Sequence, residues 1–578
     1  MNPAMHEFDQ RKILSEVALG NIPLDSLVVN GTAFNVFTRE FIPKQSIWIK
    51  DGRIAYVGPD HDPLRDEKTE VIDADGMVVL PGLIDGHSHL SSAKCGVEEF
   101  VKHVIPTGTT TVVTETIDLA SILGLDGLKY WVDGFERQPL RVLYTVPPLS
   151  GLTLAEERCA LSAQELLPFL KDPNCLGLGE VYWSNLFLEG IQAERVIEIA
   201  SAAFDLGKSI EGHTAGASGR KLQAFSCFGA SSCHEPITEQ EIMDRLRLGY
   251  WVMIREGSIR RELQGVKAIF RRDIDFRRVT VCTDGVDPID LLQDGYLDAS
   301  LRTLLLLGVP PQLAYQMVTI NVAEHFRLDD LIGSLSPGRM ADLVIVPRPE
   351  EFSPQVVMFA GKVIYRDGKS LVEPRRVSFS DSMLHTVRVE NFSFPPIPKH
   401  GKVRVIDLVS TLVTKEGIVD LDNPEESEDV IMALAIDRIG DGKPFMGYLR
   451  GYGLKRGAIA STLCWDTWDM VVLGCDTESM TTALERAKEL SGGAVYAIGK
   501  EIVAELPAPL CGYLSLEPME VLRDQQKGLE ETLRKNGVKW EKPTLTVDTL
   551  TTVAIPHIRL THNGYILLKD RRVLSTAV

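Results

Sequence analysis

Across residues 78 to 284, short apolar runs alternate with amphipathic segments. The runs are VVLPGLID (78–85), TTTVVTE (109–115), RVLYTVP (141–147), CLGLGE (175–180), KSIEGH (208–213), GASSCH (229–234), YWVMIRE (250–256) and RVTVCTD (278–284). Between them lie stretches with helical spacing of apolar residues: VEEFVKHVI, LSAQELLPFLK, AERVIEIASAAFDLG and EQEIMDRLRLG. Thr238, with Glu241 three residues on, predicts a capping-box start for the last of these. Eight strand–helix units over about 250 residues predict an α/β chain built on a (β/α)8 TIM-like barrel, with an open doubly wound sheet as the alternative.

The flanks differ in texture. SLVVNGTAFNV and QSIWIKDGRIAYVG, the latter turning at Asp51-Gly52, read as short strands and a hairpin. The same pattern returns in GRMADLVIVP and VVMFAGKVIYRDG, which suggests that two β-rich pieces form one small composite β-sandwich around an inserted barrel. Beyond the Pro-rich FSFPPIPKHG (392–401), the pattern becomes a separate α+β region. It has strand-like VRVIDLVS, MALAIDRIG, AVYAIG and YILLKD, and helices around LERAKELSG and LRDQQKGLEETLRKNG. The expected divisions are 1–77 (N-terminal segment and first sandwich piece), 78–336 (barrel), 337–376 (second sandwich piece) and 377–578 (C-terminal α+β domain).

Composition narrows the function. The 578 residues are 44% hydrophobic and 24% charged, in the range of folded globular domains. Lys plus Arg total 61 against 80 for Asp plus Glu, a net charge of −19 that disfavours nucleic acid and anionic membranes. No apolar run approaches the ~18 residues of a membrane span. The early Glu7, Asp9, Arg11 and Lys12 do not fit a secretory leader. Nine scattered cysteines without a CxxC pair give neither a disulfide framework nor a thiolate zinc site. A cytoplasmic protein acting on a small molecule is expected.

In a barrel, catalytic groups gather at the C-terminal strand ends. Those ends carry His87 and His89 after the first strand, Glu180 after the fourth, His213 after the fifth, His234 after the sixth and Asp284 after the eighth. Imidazole and carboxylate ligands suit Zn²⁺, Mn²⁺ or Fe²⁺ better than Ca²⁺ or Mg²⁺. Four histidines and two carboxylates suffice for two ions, one carboxylate bridging, and such a pair acidifies water into a nucleophile at neutral pH. Taken singly, each residue has an ordinary structural explanation; one geometric arrangement accounts for all six.

PGLIDGHSHL is similar to the first-strand motif of the amidohydrolase superfamily, and the six residues match its binuclear site. GTTTVVTE, GLGEV, EGHTAGASGRKLQAF, SCHEPIT, MIREGS and TDGVDPIDLLQDGYLD more closely resemble the adenine deaminase family. LRGYGLKRGAIASTL and AELPAPLCGYLS resemble that family's C-terminal domain. The resemblance implies hydrolysis of adenine to hypoxanthine and ammonia with two divalent ions, Mn²⁺ or Fe²⁺ (Zn²⁺ possible), in a purine-salvage enzyme that assembles as a homo-oligomer. It implies that His87, His89 and Asp284 bind one ion and His213 and His234 the other. Glu180 then bridges, and Asp284 relays the proton of the attacking water. Arg255 and Glu256 of MIREGS, and Glu115, Asp118 and Trp183 in stretches that depart from the family pattern, are expected to contact the purine.

Three stretches depart from the family pattern. Glu115-Thr116-Ile117-Asp118 stands for DPHE, WDTWD from Trp465 stands for HDSHN, and Val181-Tyr182-Trp183 stands for Met-Met-Asn. They leave room for another aminopurine such as 6-methyladenine, or for a metal-binding relative without turnover. A cyclic-amide hydrolase is a further alternative, though Glu180 replaces the bridging lysine that class uses. The H-x-E…P-C-x-x-C deaminase signature, a phosphate-binding loop and dinucleotide glycine spacing are all absent.

Overall fold

The computed structural model describes residues 7–148, 160–187, 191–390, 392–440, 444–555, 557–569 and 571–578. Eight parallel strands follow one another around a ring. They are β1 (Leu83–Ser88), β2 (Thr109–Thr114), β3 (Arg141–Val146), β4 (Cys175–Tyr182), β5 (Ser209–His213), β6 (Ser232–Cys233), β7 (Trp251–Arg255) and β8 (Val279–Cys282). Pairing runs unbroken from β1 to β5 and from β6 to β8. Two single hydrogen bonds bridge the remaining seams: Ser231 N donates to Ile210 O at 3.0 Å, and Asp284 N to His87 O at 3.1 Å. The ring closes, which removes the open doubly wound sheet.

The barrel interior is filled. Ile84, Val113, Leu143, Leu176, Met253 and Cys282, from six different strands, form one buried cluster with Val322 and Phe326 of the segment after β8. Outward-facing strand residues join the larger core beneath the surrounding helices. The helix Glu239–Arg247 starts as expected: Thr238 accepts from the Glu241 backbone, and the Glu241 side chain accepts from Thr238 N.

The first apolar run divides between two sheets. Only residues from Leu83 enter the barrel. Val78–Pro81 pairs antiparallel with Leu343–Val346 and parallel with part of Ser26–Asn35. The run looked continuous because both sheets bury it completely. Pro81 and Gly82 mark the boundary: a Cβ at Gly82 would lie 2.2 Å from Thr110 Oγ1, so the chain passes β2 too closely for a side chain.

The Val78–Pro81 pairing unites the two flanking pieces in one nine-stranded sheet. Its far edge returns on itself, with Arg53 bridged to Met340 and Ala341 N donating to Gly52 O at 2.9 Å. Val28, Ile47, Ile49, Ile54, Leu343 and Ile345 fill the enclosed space. The Asp51-Gly52 turn has φ of 49° and 77°, the left-handed pair that a two-residue hairpin requires.

The C-terminal region forms an eight-stranded sheet covered by the helices Thr477–Glu489 and Met519–Lys535, and a three-stranded sheet near residues 558–574. It docks on the C-terminal face of the barrel. Ser515 N donates to Lys94 O at 2.7 Å, and Lys542, from this region, is held by Asp287 and Asp290 of the segment following β8. No described helix is long and apolar enough to cross a membrane.

Candidate metal centre

The six strand-end residues converge although up to 197 sequence positions separate them, and none is more than 8% exposed. Two ligand groups form. In one, His87, His89 and Asp284 share a centre with Glu180; in the other, His213 and His234 share a centre with the same Glu180. His87 Nε2 lies 3.2 Å from both Glu180 Oε1 and Asp284 Oδ1, and His89 Nε2 lies 3.3 Å from Glu180 Oε1. His234 Nε2 reaches Glu180 Oε1 at 3.1 Å.

The donor set fits divalent metal. His87 Nε2 is fully buried and makes no hydrogen bond, despite two carboxylate oxygens at 3.2 Å. Its lone pair and theirs point toward shared space, as ligands of one cation do. The electrostatics agree. Burial alone lowers the pKa of His89, yet Glu180 overrides it and raises the group to about 9. Burial raises Glu180, but the imidazoles of His234 and His213 hold it well below the carboxylate range. Asp284 is likewise lifted by burial and held low by His87 and Arg255. A field that draws protons onto buried imidazoles also draws metal cations, and metal binding displaces those protons.

Bracing groups surround the six. Glu115 Oε1 sits 3.5 Å from His87 Nδ1, and its other oxygen accepts from Thr145 Oγ1 at 2.6 Å. This orients the ring from behind. Arg255 ties Asp284 Oδ2 (3.4 Å) to Glu262 (2.8 Å) and to Glu235. Gly257 explains part of MIREGS: a Cβ there would lie 2.0 Å from Thr283 O, the residue before Asp284. A side chain at 257 would displace the Asp284 backbone.

A cavity of about 180 Å³ opens over the cluster. The barrel contributes His89, Glu180, His213, His234, Arg255 and Asp284; the C-terminal domain contributes Leu412, Val413, Trp465, Asp466, Ala554 and Ile555. The Trp465 ring lies nearly parallel to His89, 6.0 Å away. Asp466 Oδ2 accepts from Thr552 and from Tyr182 OH at 3.4 Å, and burial pushes its carboxyl up to about 6. Buried Arg559 donates to Ile555 O at 2.6 Å and Leu412 O at 3.2 Å, fixing two segments of this wall.

Of the five expected purine contacts, Arg255 lines this cavity and four do not. Glu115 is behind His87. Asp118 is buried on Ser91 and 3.5 Å from Tyr513 OH, so its carboxylate is spent on the domain interface. Trp183 donates to Ala215 O at 2.8 Å and lines an adjoining chamber. Glu256 turns outward to accept from Leu263 N at 3.0 Å. Neighbours on a strand point to opposite faces, and of this pair Arg255 faces the cavity. Tyr182 and Asp466 fall in stretches the sequence singled out as departing from the family pattern and line the cavity, whereas sequence reasoning missed Glu235. Glu235 lies 3.2 Å from His213 Nε2 and 3.3 Å from His234 Nε2, and its place directly after a strand-end ligand was the available signal.

Comparison with known proteins agrees with this architecture. Residues 78–364 match the amidohydrolase family and residues 407–572 the adenine deaminase C-terminal domain. An adenine deaminase of Archaeoglobus fulgidus is 32% identical, covering 100% of this chain and 99% of its own length. Another, from Moorella thermoacetica, is 32% identical over 96% of each chain. Among solved structures, a D-hydantoinase aligns with 60% of this chain and 97% of its own at 17% identity and a TM-score of 0.47. In sequence and in domain content, the chain belongs to the adenine deaminase family of amidohydrolases.

Proposed function

We propose that the chain hydrolyses adenine to hypoxanthine and ammonia at two divalent ions, Mn²⁺ or Fe²⁺, with Zn²⁺ also compatible with the ligands. The observation that carries this reading is the pair of ligand groups sharing Glu180 beneath a cavity sized for a small ligand. His87, His89 and Asp284 would hold one ion and His213 and His234 the other, with Glu180 placed to serve both. Divalent ions at such a site acidify water and so supply a nucleophile at neutral pH.

The chain's own groups do the rest. Asp284, kept ionised by His87 and Arg255, takes a proton from the water and returns it toward the departing nitrogen. Glu235 and Arg255 form a buried ion pair that fixes the Asp284 side. Across the cavity, Trp465 offers an aromatic face and Asp466 an acceptor for a ring N–H. Leu412, Ala554 and Ile555 exclude water from the apolar base. A small uncharged heteroaromatic substrate fits a net charge of −19 without electrostatic penalty. A cytoplasmic, homo-oligomeric purine-salvage enzyme, with no nucleic-acid or membrane partner, completes the reading.

The test combines two measurements on purified protein. Metal analysis is expected to find about two ions per chain, and adenine is expected to yield stoichiometric ammonia and hypoxanthine. Two bound ions without turnover of adenine, 6-methyladenine or another aminopurine would reject the deaminase reading.

A further inference from the structure

Beside the purine cavity lies a second chamber of about 250 Å³. The two share Tyr182, His213, Ala215, Gly216 and Ala554, so they adjoin along one wall. Their charges are opposite. Glu180, Glu235, Glu241, Asp284 and Asp466 line the first. Lys221, Lys569, Arg571 and His557 line the second, with no carboxylate among its described lining residues. Such a local cationic surface stands against the −19 of the whole chain. Lys221 Nζ sits 5.0 Å from the Trp183 ring, which is anchored in turn on Ala215 O. Tyr182 stands in the shared wall and Trp183 lines the second chamber, and both lie in the stretch where this chain departs from the family pattern after Glu180.

Adenine is uncharged and needs no cations beside it. We infer that the chamber binds an anionic substituent carried by the aminopurine, a carboxylate or phosphate, while the base occupies the metal-side cavity. Residues of both domains frame the chamber: Lys221 follows β5, while His557, Lys569 and Arg571 flank the C-terminal three-stranded sheet. An anion there meets side chains that screen its charge from the acidic metal site. Two attachment points share this chemistry. A tail on the exocyclic nitrogen leaves with it: water oxygen bonds to the ring carbon, the carbon–nitrogen bond breaks, and the proton ends on the released amine. A tail on the ring, as in a nucleotide, stays with the purine product.

The inference rests on the deaminase reading, and the experiment separates the two. Binding to the metal-loaded protein is measured by calorimetry for adenosine 5′-monophosphate against adenosine, and for N6-(carboxymethyl)adenine against N6-ethyladenine. Adenine turnover is followed in parallel. At least one anionic member is expected to bind about fivefold to tenfold tighter than its neutral partner. That advantage is expected to fall to about one in the Lys221→Ala/Lys569→Ala double variant and to shrink with added salt, with adenine turnover unchanged. Equal affinity within both pairs, or an advantage that survives the double substitution, overturns the chamber's role and leaves adenine deamination standing. Failure of adenine turnover in the parent protein would sink the deaminase reading, while the binding comparison still decides the chamber. The pair that shows the advantage identifies the attachment point.

Discussion

The barrel wall of the purine cavity and the wall facing it hold their polar groups differently. On the barrel side each functional atom is braced from several directions: His87 by Glu115, Glu180 and Asp284, and Asp284 by His87 and Arg255. On the facing side, Asp466 is held through a single oxygen, and Leu412 and Ile555 hang from one buried guanidinium. The six strand-end residues and Tyr182 belong to the barrel side, whereas Trp465 and Asp466 of WDTWD belong to the facing wall. The wall that carries the candidate ligands is cross-braced, whereas the facing wall is held by few bonds, so a substitution on the facing wall is expected to leave the ligand cluster in place.

Substitutions on each wall test that separation. Asp284→Asn removes the proton acceptor and is expected to lower kcat by about 10²–10⁴, with the bulk of substrate affinity retained. Activity within a fewfold of the parent, at equal metal content, would assign the proton step elsewhere. Asp466→Asn is expected to raise KM by about tenfold with kcat nearly unchanged, as for one lost charged hydrogen bond. If kcat falls instead, the facing wall takes part in the chemistry and the division fails.

The smallest expected effect concerns stability. Asp548 lies buried behind Trp465 with one oxygen unpartnered, and burial lifts its carboxyl to about 7. Its folded-state pKa exceeds the unfolded value, so the folded chain retains a proton that the unfolded chain has lost. Stability therefore declines as pH rises from about 4 through about 7. Asp548→Asn is expected to flatten that decline, raising Tm by about 1–3 °C at pH 8 and less at pH 5. Parallel melting curves across pH would show that Asp548 does not set the slope.

The barrel side of the site was the legible side. His87, His89, Glu180, His213, His234 and Asp284 each end an apolar run, so strand periodicity located them before any geometry was known. The facing wall has no such marker. Trp465 and Asp466 lie in a turn, with Asp466 at φ 60°, and reach the cavity only because a separate domain docks there. Hydropathy also failed at Val78–Pro81, where burial in two successive sheets erased the break. Glu115 stands where the family reads DPHE, which places a carboxylate near the ring in the sequence reading. Its side chain points behind His87, a distinction that depends on local orientation and not on residue type.

The strand Val78–Pro81 bears on how the chain is made. Its partner Leu343–Val346 lies roughly 260 residues downstream. At about 5–20 residues per second, the ribosome needs roughly 13–50 s to supply it. Throughout that interval an apolar strand edge stands unpaired beside an unfinished barrel, the kind of edge on which a second nascent chain can add a strand. The clasp that finally holds the two sandwich pieces together is thus also an aggregation hazard of the young polypeptide.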